Sequence, residues 1–550
     1  MRSLLAAVSL LALTGIALAA PAEFEGPRID QHIKILSSDA FEGRGPATRA
    51  ETKTIAYISE QMRAAGLQPA GDPLPGGKRV WTQDVPLLRS QITGTPDLQL
   101  TLAGGEKTAL KQGEDIAVRA PLDGTSRVDL ANAPLLFVGY GVTAPEKQWD
   151  DFKGQDVRGK LLVVLINDPD FETGAGDFGG KAMTYYGRWT YKYEEAARHG
   201  AAGVLIVHET APASYGWATV RNSNTDATFD IVREQPRASH TPMESWIQRD
   251  LAVRLFKAAG LDFDAAKKQA QSRDFKPIPL NATLSAHLTA DSQRIVSHNV
   301  AGRLPGTKHA DETVIYSAHW DHLGIGAPDA KGDRIYNGAL DNASGTAALI
   351  EMGRAFAKRP RPERSVLFLS VTAEEKGLLG SEYYATHPLY PLGTTVGVLN
   401  MDGISLVGPA RNFTISGSAK LGLLDDLIAE GARVGRAYAP EVHPEAGHFF
   451  RSDHFSFAKQ GVPAISFDAG NDLLDGGTAR AEQLSSEYTR DRYHQPADEW
   501  RPDFNYGGAV QDLTLLLSLG ERLANSREWP AWSSDSEFAA KRQETSAARR

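Results

Sequence analysis

The chain has no cysteine among its 550 residues. No disulfide can staple it, and any metal it holds must be bound through nitrogen and oxygen alone. Concentrated positive charge is missing too. Lys and Arg number 59 against 68 Asp and Glu, the net charge is −9, and no long basic run occurs, which excludes nucleic acid as an expected partner. After the first twenty residues no stretch approaches the ~20 uninterrupted apolar residues of a membrane span, so no membrane insertion is expected of the mature chain. Internal repeats and low-complexity tracts are absent. What remains is an ordinary globular balance, 41% apolar and 23% charged, in a chain too long for one core.

The first residues stand apart. Arg2 precedes an almost wholly apolar run over 4–18, and Ala17-Leu18-Ala19 places small residues at a cleavage site. Residues 1–19 therefore read as a secretory signal peptide, too short to be an anchor, with a periplasmic or secreted destination.

Further on, Ile55, Ile58, Met62 and Ala65 recur at helical spacing within a helical stretch over 29–67, closed by Gly66. Strands are expected near 98–102, at 134–141, at 161–166 and at 204–207, with a helix over 191–199. From about residue 297 short β-rich runs at 313–317, 365–371 and 395–399 alternate with helical patterns at 345–357 and 421–434. Such alternation predicts an α/β fold with a mixed, largely parallel sheet flanked by helices. Residues 526–550 are polar and charged and are expected to be loose.

Acidic and imidazole groups fall just after those runs. His319 and Asp321 follow 313–317, Glu374 and Glu375 follow 365–371, and Asp402 follows 395–399. Ligand sites in open α/β sheets form beyond the carboxyl ends of strands, so these groups are expected in one crevice. Asp341 arrives at a helix start, where a plain N-cap competes with a ligand role; its Gly-x-x-Asp-Asn-x-x-Gly frame favours the latter. Adjacent Glu374 and Glu375 project differently, so one can ligate while the other moves protons. Ser452-Asp453-His454 fits either a substrate loop or a brace, and Tyr493-His494 carries little weight alone.

Together these motifs resemble family 28 of the metallopeptidases, co-catalytic di-zinc aminopeptidases that include glutamate carboxypeptidases. The likeness begins at Leu36-Ser-Ser-Asp39-x-x-Glu42-Gly-Arg44, resumes at Ser297-His-Asn-Val300 and runs to about residue 525. It implies a zinc-exopeptidase fold and two Zn²⁺ ions bridged by Asp341, with His319 and Asp402 completing one site and Glu375 and His494 the other. It further implies Glu374 as general base, Asp321 orienting His319, Tyr493 as an oxyanion donor, and an Asp341–Asn342 peptide that is often cis. Peptides are the implied substrates. Aminopeptidase action is the leading expectation; carboxypeptidase or dipeptidase specificity, a one-zinc glutaminyl cyclase, and a non-catalytic receptor are the alternatives. The Gly-Tyr-Gly, Asp-Val-Arg-Gly-Lys and Gly-Ala-Ala-Gly-Val-Leu-Ile pieces resemble a protease-associated domain. The expected organisation is thus a peptidase domain at 20–112 and 283–525, interrupted by a β-rich insert at 113–282.

Overall fold

The computed structural model describes residues 23–549, so the signal-peptide reading of residues 1–19 lies outside them. The chain opens with two helices, α1 (Gly26–Leu36) and α2 (Arg49–Ala64), where the periodicity alone suggested one stretch. Ile29, Ile33 and Leu36 of α1 and Ile58 and Met62 of α2 are buried on one core. The break between them is the turn Asp39–Arg44, where Gly43 adopts φ 67°. A Cβ there would lie 2.5 Å from the Gly324 carbonyl oxygen, so only glycine fits this approach.

Next come β1 (Thr82–Thr101), β2 (Arg127–Phe137), β3 (Leu161–Leu165), β4 (Gly203–His208) and β5 (Met243–Gln248). They are followed by the 27-residue β6 (Ile278–Leu304), then β7 (His309–His319), α3 (Gly345–Ala357), β8 (Arg364–Val371), β9 (Thr395–Met401), β10 (Ala464–Asp468) and α4 (Gly507–Asn525). β1 and β6 pair antiparallel from Thr82 opposite Val300 to Thr101 opposite Thr283. This ribbon is shared by two wings of one sheet. In the first wing β2, β3, β4 and β5 run parallel to one another beside β6. In the second, β6 lies antiparallel to β8, and β8, β7, β9 and β10 are parallel. The expected mixed, largely parallel sheet is present, with helices packed on it.

The boundaries at 113 and 282 need correction. The first wing's core takes in Leu98, Leu100 and Leu102 before residue 113, and Leu284, Ala286 and Leu288 after 282. Because β1 and β6 each run through both wings, the insert has no linker and no clean edge. The loose tail is a second correction. Trp532 Nε1 donates to the Gly461 carbonyl at 2.9 Å, Phe538 is buried in the second wing's core, and Arg542 Nη2 donates to the Thr395 carbonyl at 2.9 Å. Two aromatic anchors and one buried guanidinium hold a segment whose remaining residues are polar.

Candidate metal centre

Strand register brings the site together. His319, the last residue of β7, pairs with Val371, the last of β8, and Ser317 pairs with Asn400 of β9. The three strands thus end at one level, and Glu374, Glu375 and Asp402 follow just beyond. Asp341 is supplied by the turn before α3. There the Asp341–Asn342 peptide is cis, and Asn342 ties the turn to the β9 end: its Nδ2 donates to the Met401 carbonyl at 3.0 Å, while its Oδ1 accepts from Gly345 and Gly403 amides at 2.8 and 3.0 Å.

The Asp341 carboxylate lies between two imidazoles. Its Oδ1 is 3.4 Å from His319 Nε2 and its Oδ2 is 3.2 Å from His494 Nε2. His319 Nε2 is also 3.1 Å from Asp402 Oδ1, and His494 Nε2 is 3.2 Å from Glu375 Oε2. All five residues expected as ligands therefore meet at one place. Two groups have donor atoms within 4.8 Å of one another: His319, Glu374 and Asp402; and His322, Asp341 and Glu375.

Three supporting residues were not singled out by sequence reasoning. His322 is fully buried, with Nδ1 2.7 Å from Glu375 Oε1; its place in the His-x-Asp-His stretch was a usable signal. Asp498 accepts from the Leu340 and Asp341 amides at 3.2 and 3.1 Å, bracing the bridging turn. No local pattern marks it. Arg44 is buried and donates to the carbonyls of Trp320, Leu36, Asn337 and Gly338, knitting the start of the chain to the loops around the centre.

Asp321 plays a part different from the one expected. His319 Nδ1 lies 3.1 Å from the Asp321 main-chain carbonyl, while the nearer carboxylate oxygen is 3.8 Å away. The carboxylate instead accepts from the Glu374 and Glu375 amides at 3.1 and 3.4 Å. One residue thus fixes the His319 ring through its backbone and the glutamate turn through its side chain. The Tyr493 ring, 44% exposed, stacks on the His494 imidazole at 3.9 Å. Asp453 and His454 are fully buried, and His454 packs edge-on to Phe449 at 4.6 Å. Their side-chain polar atoms are buried without hydrogen-bond partners, so neither lines open space.

Burial would push the Glu374, Asp341 and Glu375 carboxyls upward, yet the environments drive them apart. Burial raises Glu374 well above the usual carboxylate range, reinforced by Asp402 and Glu375 against the opposing effect of His319. Burial acts likewise on Asp341, but hydrogen bonds from His319 and His494 overcome it and hold that carboxyl well below the usual range. Glu375 is held at about 2 by His322 and His494 against burial and the Asp341 charge. Neighbouring carboxyls with opposed proton affinities are suited to divided acid and ligand roles.

A crevice of converging imidazoles and carboxylates at strand ends defines a site able to hold divalent metal. Residues 299–516 match the model of Peptidase family M28. A "Probable zinc metalloprotease" of Pyricularia oryzae is 36% identical over 104 residues, 19% of this chain and 20% of that protein. A "Probable glutamate carboxypeptidase" of Arthroderma benhamiae is 27% identical over 233 residues, covering 40% and 30%. The chain thus spans less than a third of either relative. The solved aminopeptidase from Aneurinibacillus sp. strain AM-1 is 20% identical with a TM-score of 0.48, covering 92% of this chain and 95% of that one.

Proposed function

We propose that the chain is an exported di-zinc exopeptidase, an aminopeptidase that removes N-terminal residues from peptides. The observation that carries this reading is the Asp341 carboxylate, one oxygen toward His319 and the other toward His494. The donor set fits the metal. It is all nitrogen and oxygen, and His322 Nε2 is buried without a hydrogen-bond partner. His319, Asp341 and Asp402 would hold one zinc, and Asp341, Glu375 and His494 the other. Bound there, zinc supplies Lewis acidity toward a water and a substrate carbonyl.

The chain's own residues do the rest. Glu374 stands beside the ligands with a raised proton affinity, which suits a base that takes a proton from water and returns it to the leaving amine. Asp321 holds the Glu374 amide, and with it the base's position. Tyr493, its ring resting on His494, is the candidate donor to the developing oxyanion. Export rests on the Arg2-led apolar run, and the first wing is read as a protease-associated domain bordering the cleft.

A carboxypeptidase is the second reading, favoured by the 233-residue alignment with a protein of that name. Free, N-blocked and C-blocked peptides assayed with zinc and with chelator separate the two. Cleavage lost on N-blocking and abolished by chelator is expected. Loss only on C-blocking would install the carboxypeptidase, and turnover indifferent to chelator would sink both.

A further inference from the structure

The turn that carries Glu374 and Glu375 is held in an uncommon shape. Ala373 before it and Leu378 after it both sit in the left-handed region, at φ 53° and 63°. Residues with side chains stay there only where the surroundings impose it. On one side the hold is the Asp321 carboxylate, which accepts from the two glutamate amides. On the other it is the helix Leu379–Thr386, which continues the turn. The Gly377 and Leu378 amides donate to the Glu374 carbonyl at 2.9 Å, and the Leu379 amide donates to the Ala373 carbonyl at 3.1 Å. The first wing packs against this assembly. Its short strand Thr228–Ile231 pairs antiparallel with β1 and brings Ile231 into one buried cluster with Ala373 and Leu379. The Phe229 ring lies 5.7 Å from Lys376 Nζ.

Beside that contact runs a chain of alternating charge. Arg119 donates to Glu244 at 3.1 Å, and His240 lies between Glu244 and Asp230 at 2.9 and 2.8 Å. Arg233 grips both Asp230 oxygens at 2.6 and 2.8 Å. The last link crosses to the second wing: Arg233 Nη2 donates at 2.9 Å to Oε1 of Glu382, one turn into the helix behind Glu374. Asp230 and Glu244 are buried. Burial works against the Arg233 charge, but Glu382 and Asp230 overcome it and hold the guanidinium well above its usual range. We propose that Arg233 is a positioning residue for Glu374, clamping the glutamate turn between the first wing and Asp321. The apolar contact is non-directional and by itself leaves the helix free to slide. A guanidinium fork with partners on two elements fixes direction as well as distance. The first wing thereby shapes the reaction by holding the base in place.

The clamp rests on the reading of Glu374 as the base of a peptidase, and the test separates the two. Trialanine turnover per bound zinc is measured for wild type, Arg233→Gln, Glu382→Gln and the double variant. Arg233→Gln should lower kcat about ten- to a hundredfold, with KM within about twofold and zinc content unchanged. Arg233→Lys should restore part of the loss. The double variant should be no slower than the slower single one, because the two residues act through each other. Glu382→Gln carries the test if Arg233→Gln does not fold. A kcat loss below about threefold in both glutamine variants, a loss carried by KM or by missing zinc, or losses that multiply in the double variant overturns the clamp. If wild type cleaves no peptide, the peptidase reading fails, and hydrogen exchange decides the clamp alone. Faster exchange of the Gly377–Gly380 amides in Arg233→Gln, with the Phe178 and Gly180 amides unchanged, supports it. Unchanged exchange, or equal acceleration at both places, overturns it.

Discussion

Both wings end their parallel strands in acids and histidines, but the two rims treat them differently. In the first wing β3 is followed by Asp168 and Asp170, and β4 ends in His208. Asp168 accepts from the Thr184 amide and hydroxyl at 2.7 and 2.8 Å. Asp170 Oδ2 accepts from the Phe178 and Gly180 amides at 3.0 Å, and His208 Nε2 meets the Tyr215 carbonyl at 2.9 Å. These groups turn to the loops around them and not to one another, although Asp170 Oδ1 is left without a hydrogen-bond partner. In the second wing the carboxylates and imidazoles face one another, as His322 Nδ1 and Glu375 Oε1 do at 2.7 Å, and His322 Nε2 has no hydrogen-bond partner. Placement at a strand end therefore does not make a site; convergence of the groups on one another does.

Removing the shared ligand should have the largest effect. Asp341→Ala is expected to lose both zinc ions and all measurable turnover, and elemental analysis after dialysis checks it; one ion retained at full occupancy would falsify the bridge. Glu374→Gln should keep its metal while kcat falls by about 10²–10⁴. Metal lost from that variant would mean that Glu374 and Glu375 have exchanged roles. The contrasting rim predicts the opposite pattern. Asp168→Ala should leave metal content intact and cost about 1–3 kcal/mol of stability by orphaning buried donors, read as a lower midpoint in denaturant.

The smallest effect is one of pH. His240 lies between Asp230 and Glu244 at 2.8 and 2.9 Å. Burial alone would lower it, but these carboxylates raise it from 6.5 to about 10. A raised folded value means that its contribution is full below about pH 6.5 and is lost as pH rises through about 10. The melting-temperature advantage of wild type over His240→Gln should shrink across that window, and an advantage that grows with pH would reverse the assignment.

The second wing was legible because strand periodicity, glycine-framed turns and the types of acidic and imidazole residues agreed over short stretches. His319, Asp341, Glu375, Asp402 and His494 meet as expected, and the helix at 345–357 is where its pattern put it. Legibility failed where one element serves two bodies. β6 crosses both wings without a composition change at residue 282, so the insert edge could not be read. It failed again where the deciding contact is distant: Asp498 reaches the Asp341 turn across 157 positions, and Trp532 and Phe538 look like stray aromatics until the core they enter is known.

The ribbon of β1 and β6 gives the molecule a mechanical character. Two wings joined by a peptide linker could swing; two wings woven into one hydrogen-bonded sheet behave as a beam. The single slip in its pairing lies between His287 and Thr289, well inside the first wing. The gap between Arg188, carried by that wing, and Arg451, carried by the other, is thus held by the stiffness of a sheet and not by a hinge.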